Sequence, residues 1–146
     1  MGFDASLIAP CGMNCGICKG YLAYSRRIPV SIRKSQRLGF CMGCRPRNNQ
    51  CAYLKGHCTE LKENKISFCY ECKDFPCERL RHLDKRYRTN YNVSLIENLR
   101  RIKEGGIEKW LAQEELKWRC PRCYGTISVH LGGCFDCEIA SKEKPA

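Results

Sequence analysis

Carboxylates are nearly missing from the first part of this 146-residue sequence: residues 1–58 hold Asp4 alone against nine Lys and Arg. Long apolar runs are missing too. None approaches the ~20 residues that a helix needs to cross a bilayer, so no such span and no membrane partner is expected. The opening Met1-Gly2-Phe3-Asp4-Ala5-Ser6 has no basic leader segment and runs directly toward Cys11, which predicts a cytoplasmic protein. Histidine occurs three times. No Ser/His/Asp set, carboxylate pair or glycine-rich phosphate loop stands out, which leaves no catalytic constellation and no identifiable small-molecule substrate. Ordinary core residues are also scarce. The hydrophobic fraction is 43%, but it includes 14 cysteines, and without them roughly a third of the chain is left to build a core. Ordering each residue costs on the order of 1–2 kcal/mol of backbone entropy. The cysteines must therefore staple the fold or carry its chemistry.

Sulfur is what the sequence has in excess. Five pairs have C-x2-C spacing: Cys15/Cys18, Cys41/Cys44, Cys69/Cys72, Cys120/Cys123 and Cys134/Cys137. Cys11, Cys51, Cys58 and Cys77 stand singly. Two intervening residues let both thiolates of a tight turn face one ion while backbone N–H groups bond the sulfurs. An even number of cysteines also suits a disulfide framework, but a reducing compartment favours metal. Metal changes the charge balance as well. A zinc ion in four thiolates carries about −2, so three such sites would lower the formal +11 to about +5. The basic composition is then a weaker pointer to nucleic acid than it looks.

Cys120, Cys123, Cys134 and Cys137 have the spacing of a zinc ribbon, with Gly125, Gly132 and Gly133 giving the chain room to turn. A rubredoxin-like iron site has the same four-sulfur geometry, and spacing does not separate the two. The other ten cysteines suffice for two four-sulfur sites with two to spare, making about three zinc ions per chain. One partition groups Cys41, Cys44, Cys51 and Cys58 and draws the other four from Cys11, Cys15, Cys18, Cys69, Cys72 and Cys77. An iron–sulfur cluster in this front region, for electron transfer or cluster handling, is the alternative. Cys11-x3-Cys15-x2-Cys18 also has radical-SAM spacing, but the chain is too short for the barrel that such chemistry needs. Cys77, at a helix start, reads as a ligand or as a reactive thiol. His57 could replace a sulfur, although it adjoins Cys58; His82 and His130 read as ordinary.

Helical spacing predicts a helix from Cys15, capped by Asn14, carrying Ile17, Tyr21, Tyr24 and Ile28 on one face and ended by Pro29. Residues 31–65 read as a metal-ordered loop. A helix from about Cys77 to Arg86 has Pro76 in its first turn. Ser94 to Glu97 forms a capping box for another helix, stopped by Gly105-Gly106, and a further helix runs from Ile107 to about Lys117. Residues 126–130 alternate like a strand. The expected fold is therefore a small, metal-organised α+β protein. Its parts are a cysteine-rich metal-binding region (1–90), a helical hairpin (91–117), a zinc-ribbon-like β-hairpin module (118–140) and a tail (141–146). Arg79, Arg81, Lys85, Arg86 and Arg88, with Tyr87 and Tyr91, form the densest positive stretch, read either as a phosphate contact or as a solvated helix face.

Together, Ala9-Pro10-Cys11-Gly12-Met13-Asn14-Cys15, Cys18 with Tyr21-Leu22-Ala23, the Cys41-Met42-Gly43-Cys44 knuckle and Cys69-Tyr70-Glu71-Cys72-Lys73-Asp74-Phe75-Pro76-Cys77 resemble the domain-of-unknown-function 3795 family. Its members are small cysteine-rich proteins of bacteria and archaea. The stretches Glu97–Lys103 and Gly106–Leu111, leading into Cys120, are similar to longer members. The resemblance implies metal binding and carries over no catalytic residue. The resulting expectation is a zinc-stabilised interaction module whose partner is a protein or a nucleic acid.

Overall fold

The computed structural model describes residues 3–43, 58–63 and 65–139. Seven α-helices occur among them: α1 (Lys19–Ser25), α2 (Val30–Ser35), α3 (Thr59–Lys62), α4 (Glu78–Tyr91), α5 (Leu95–Gly105), α6 (Ile107–Lys117) and α7 (Phe135–Glu138). Strands β1 (Ile127–Ser128) and β2 (Gly133–Cys134) pair antiparallel, Ile127 opposite Cys134 and Ser128 opposite Gly133. Only these two residues of the predicted 126–130 strand pair in the hairpin; Thr126 makes an isolated bridge to Arg119.

The helix expected from Cys15 is interrupted. Asn14 caps as its residue type suggests, its Oδ1 accepting from Gly16 N at 2.9 Å, but Cys15–Ile17 is a single 3-10 turn. Cys18 is extended (φ −78°, ψ 132°), and α1 starts after it. Pro29 does not end α1 either. Ile28 N donates to Ala23 O and Arg27 N to Tyr24 O, a Schellman closure with Arg27 left-handed at φ 53°. The same closure ends α2, where Leu38 N reaches Arg33 O and Arg37 has φ 54°. Pro29 instead occupies the N-cap of α2. α2, like α3, lies in the stretch expected to be loop. It fully buries no side chain, so it leaves no hydrophobic period to detect. The Pro76 placement is corrected in the same way: Cys77 is the N-cap of α4 and Pro76 lies outside it. The helix continues to Tyr91 because Leu80 and Leu83 extend along one face to Tyr87 and Tyr91.

The α5–α6 hairpin forms as its caps and glycines dictate. Ser94 Oγ accepts from Glu97 N at 3.1 Å, and Gly106, at φ 88°, separates the helices. Leu80, Leu83, Leu95, Leu99 and Val129 form one buried cluster together with Cys11, Cys15 and Cys69. Ile8, Ile102, Trp110 and Leu111 form another. Gly12 permits the close approach of the first cysteines to α5: a Cβ there would lie 2.7 Å from Leu95 O, and its φ is +90°. Buried Asn14 also meets Glu114 of α6, Nδ2 donating to Oε1 at 3.4 Å, and Trp118 Nε1 donates to the same oxygen at 3.2 Å. Burial pushes the Glu114 carboxyl up from its usual value, against these hydrogen bonds.

Asp84 locks α4 to the start of α5. Its carboxylate accepts from Ser94 Oγ (2.8 Å), Ile96 N (2.9 Å) and Arg88 Nε (2.7 Å). Burial alone would raise its pKa; the bonds from Ile96, Ser94 and Arg88 outweigh it and hold the carboxyl below its ordinary 3.8. The stabilisation is thus present above the ordinary value and is lost as pH falls through the lower, folded one. Asp84→Ala leaves these donors short of a partner and should cost about 1–3 kcal/mol at neutral pH. Urea unfolding at pH 7, where thiolate–metal bonds persist, should show Asp84→Asn recovering only part of this loss; full recovery by the neutral amide would refute the role of the charge.

Candidate metal centre

The chain following α6 makes two tight turns that face each other. Cys120 and Cys123 lie on the first; Cys134 ends β2 and caps α7, which carries Cys137. Their four sulfurs all lie within 4.8 Å of one another. Cys123 and Cys137 are 3.4 Å apart, Cys123 and Cys134 3.6 Å, and Cys120 and Cys137 3.9 Å. A tetrahedral ion with metal–sulfur bonds of about 2.3 Å separates its sulfurs by about 3.8 Å. The four cysteines can therefore hold a metal ion, and none of them is in a disulfide.

Backbone amides complete the cradle. Arg122 N donates to Cys120 Sγ at 3.4 Å, Gly125 N to Cys123 Sγ at 3.3 Å and Cys137 N to Cys134 Sγ at 3.4 Å. Such bonds stabilise thiolates. The N–H groups of Cys123 and Arg122 bring the Cys120 thiol down to about 6, whereas burial pushes Cys134 up to about 12. Cys137 is raised by its contact with Cys123. Without a cation, four adjacent sulfurs resist ionising together; a divalent ion removes that conflict.

Asp136, between the second pair of cysteines, ties this centre to α1. Arg26 grips it bidentately, Nε to Oδ1 at 2.9 Å and Nη2 to Oδ2 at 3.0 Å. Thr126 N donates to Oδ2 at 2.8 Å. Burial opposes ionisation, but the Arg26 and Thr126 bonds prevail and the Asp136 carboxyl stays below its usual range. Gly125 is required beside it, since a Cβ there would fall 2.3 Å from Asp136 Oδ2. Spacing alone does not reveal this clamp, because its partners stand 110 residues apart. The hairpin also docks on the Cys15–Cys18 turn: Val129 N (3.1 Å) and Ser128 Oγ (3.2 Å) donate to Ile17 O, and Lys19 N donates to His130 Nδ1 at 3.4 Å. His130 packs edge-on to Tyr91, and burial lowers its pKa, in keeping with a neutral ring.

The front sulfurs are partly gathered. Cys11, Cys15 and Cys69 are buried in one cluster, and Cys18 and Cys58 pack against it. Cys69 N donates to Pro10 O at 2.9 Å, setting the third C-x2-C turn beside the first. Cys41 N donates to Gly20 O at 3.0 Å; a Cβ on Gly20 would lie 3.5 Å from Cys41 Cβ and 3.8 Å from Cys18 Sγ. Cys41 and Cys72 each accept an amide two residues on, from Gly43 N and Asp74 N at 3.4 Å, as Cys120 and Cys123 do. Cys77 is exposed at the start of α4. Among the described residues, the C-terminal four are the one group of three or more such ligands that converge. Cys44, Cys51 and His57 lie outside the described residues, as does the 141–146 tail.

A family model for proteins of unknown function, DUF3795, matches residues 7–82. The chain belongs to this family. The DUF3795 span contains the ten front cysteines and stops before the α5–α6 hairpin and the C-terminal four. No curated protein and no solved structure matches the chain.

Arg79, Arg81, Lys85, Arg86 and Arg88, read from sequence as a phosphate contact or a solvated helix face, are all exposed on α4. At 100° per residue, Arg79 and Arg86 fall on one side and Arg81, Lys85 and Arg88 on nearly the opposite one. Arg88 is also held by Asp84. No helix among the described residues is long and apolar enough to cross a membrane.

Proposed function

We propose that the protein is a non-enzymatic zinc-binding module whose ions stabilise a surface for a macromolecular partner, and that it works in the cytoplasm. The convergence of Cys120, Cys123, Cys134 and Cys137 at tetrahedral spacing, with three amides bonded to their sulfurs, carries this reading. It is a closed set with no position left for a substrate, as structural zinc sites are. The C-terminal module is then a zinc ribbon, and the paired front cysteines take further ions, for about three per chain.

Anaerobic purification followed by metal analysis and a visible spectrum tests this directly. Zinc near three equivalents without visible absorption is the expected outcome. Brown protein with labile sulfide would overturn it in favour of an iron–sulfur role in the front region.

A further inference from the structure

We propose that the face built by α1, α2 and residues 38–42 binds single-stranded nucleic acid. Between Asp4 and Glu60 the sequence has no carboxylate and nine Lys and Arg. The fold places Arg27, Lys34 and Arg37 of this stretch exposed on one continuous segment with half-buried Arg33, and none of the four makes an ion pair among the described residues. Arg26, by contrast, is neutralised by Asp136.

Aromatic rings run through this charge. Ring centroids step from Tyr21 to Tyr24 (6.3 Å) and from Tyr24 to Phe40 (5.4 Å), and the Arg33 guanidinium lies 4.2 Å over the Phe40 ring. Tyr24 and Phe40 are 37% and 49% exposed, well beyond what core rings show. Between them, with Arg27 and Ile28, opens a cavity of about 470 Å³. Phosphates need unpaired cations, and unstacked bases need ring or guanidinium planes; this face offers both side by side. A duplex hides its base faces and would use only the charges. Val30 (53% exposed) and Met42 (43%) also project from this face, as a membrane-binding surface would need, but Tyr24 and Phe40 flank a concavity lined by Arg27, which suits a base beside a phosphate. The surface does not depend on which metal the sulfurs hold.

The test is fluorescence anisotropy of a labelled oligouridylate with the metal-replete full chain. Phosphate contacts by Arg27, Lys34 and Arg37 predict a slope of log affinity against log salt of about −2, and Arg27→Gln with Lys34→Gln should flatten it by about 1.4. Tyr24→Ala with Phe40→Ala should weaken binding about tenfold or more, with metal content unchanged. Equal affinity for a duplex of the same length would overturn the proposal. So would an unaffected aromatic double variant, retention by phosphatidylserine vesicles but not by the oligonucleotide, or loss of binding through Arg79→Gln with Arg81→Gln instead. A brown iron protein that passes these tests would sink the zinc reading and leave this surface standing.

Discussion

Cys120→Ser is expected to release one metal ion per chain and to unfold the segment from Arg119 to Ile139. Structural zinc binding has an apparent free energy of about 10–16 kcal/mol at neutral pH, as large as the whole stability of an ordinary domain. The segment has little regular structure of its own, two-residue strands and a four-residue helix, and its contacts with Arg26, Ile17 and the cluster around Phe135 need the sulfur turns to be formed first. Cys120 is buried, and its sulfur accepts the amide of Arg122. A serine oxygen is harder and shorter in reach than a thiolate, so it does not restore the site. Metal analysis and thermal unfolding, read together, check this. A variant with the full metal count, or one that melts like the parent, would show that these four sulfurs do not organise the module. Chelation of the parent should reproduce the variant's loss at this centre.

Phe135→Ala separates holding the ion from docking the module. Phe135 adjoins Cys134 and is fully buried in the cluster of Leu22, Ala23, Ile28 and Ile139, which contains none of the four sulfurs. Removing a buried phenyl ring typically costs about 3–5 kcal/mol, or roughly 10 °C or more in melting temperature for a chain of this size. The four sulfurs come from the module itself, so the metal count should hold while the melting point falls. Phe135→Leu should recover most of the loss, because it keeps the apolar volume better. Loss of the ion in parallel with stability would mean that ion binding and docking are inseparable; an unchanged melting point would mean that Phe135 anchors nothing.

Local chemistry was readable wherever it was self-contained. Ser94 and Gly106 delimit α5 because a hydroxyl cap and a positive φ act within a few residues. The C-x2-C pairs announce sulfur turns for the same reason. The interruption at Cys18 was hidden because Ile17, Tyr21 and Ile28 keep helical spacing across it. What breaks the helix there lies far along the chain: Ile17 O is taken by Ser128 and Val129, and Lys19 N by His130. The α2 helix was hidden for the opposite reason, since a helix that buries no side chain has no apolar stripe. The grouping of the front sulfurs follows from contacts such as Cys69 N to Pro10 O, which spacing does not encode.

Arg27 and Arg37 close α1 and α2 in the left-handed conformation, at φ 53° and 54°. Glycine enters that region freely, whereas a residue with a Cβ is held there at a cost of about 1 kcal/mol or more. A glycine at either turn would relax the main chain and delete a positive charge in the same stroke. Local comfort and the cationic character of this side of the molecule are thus set against each other, and at both turns the chain has settled on charge.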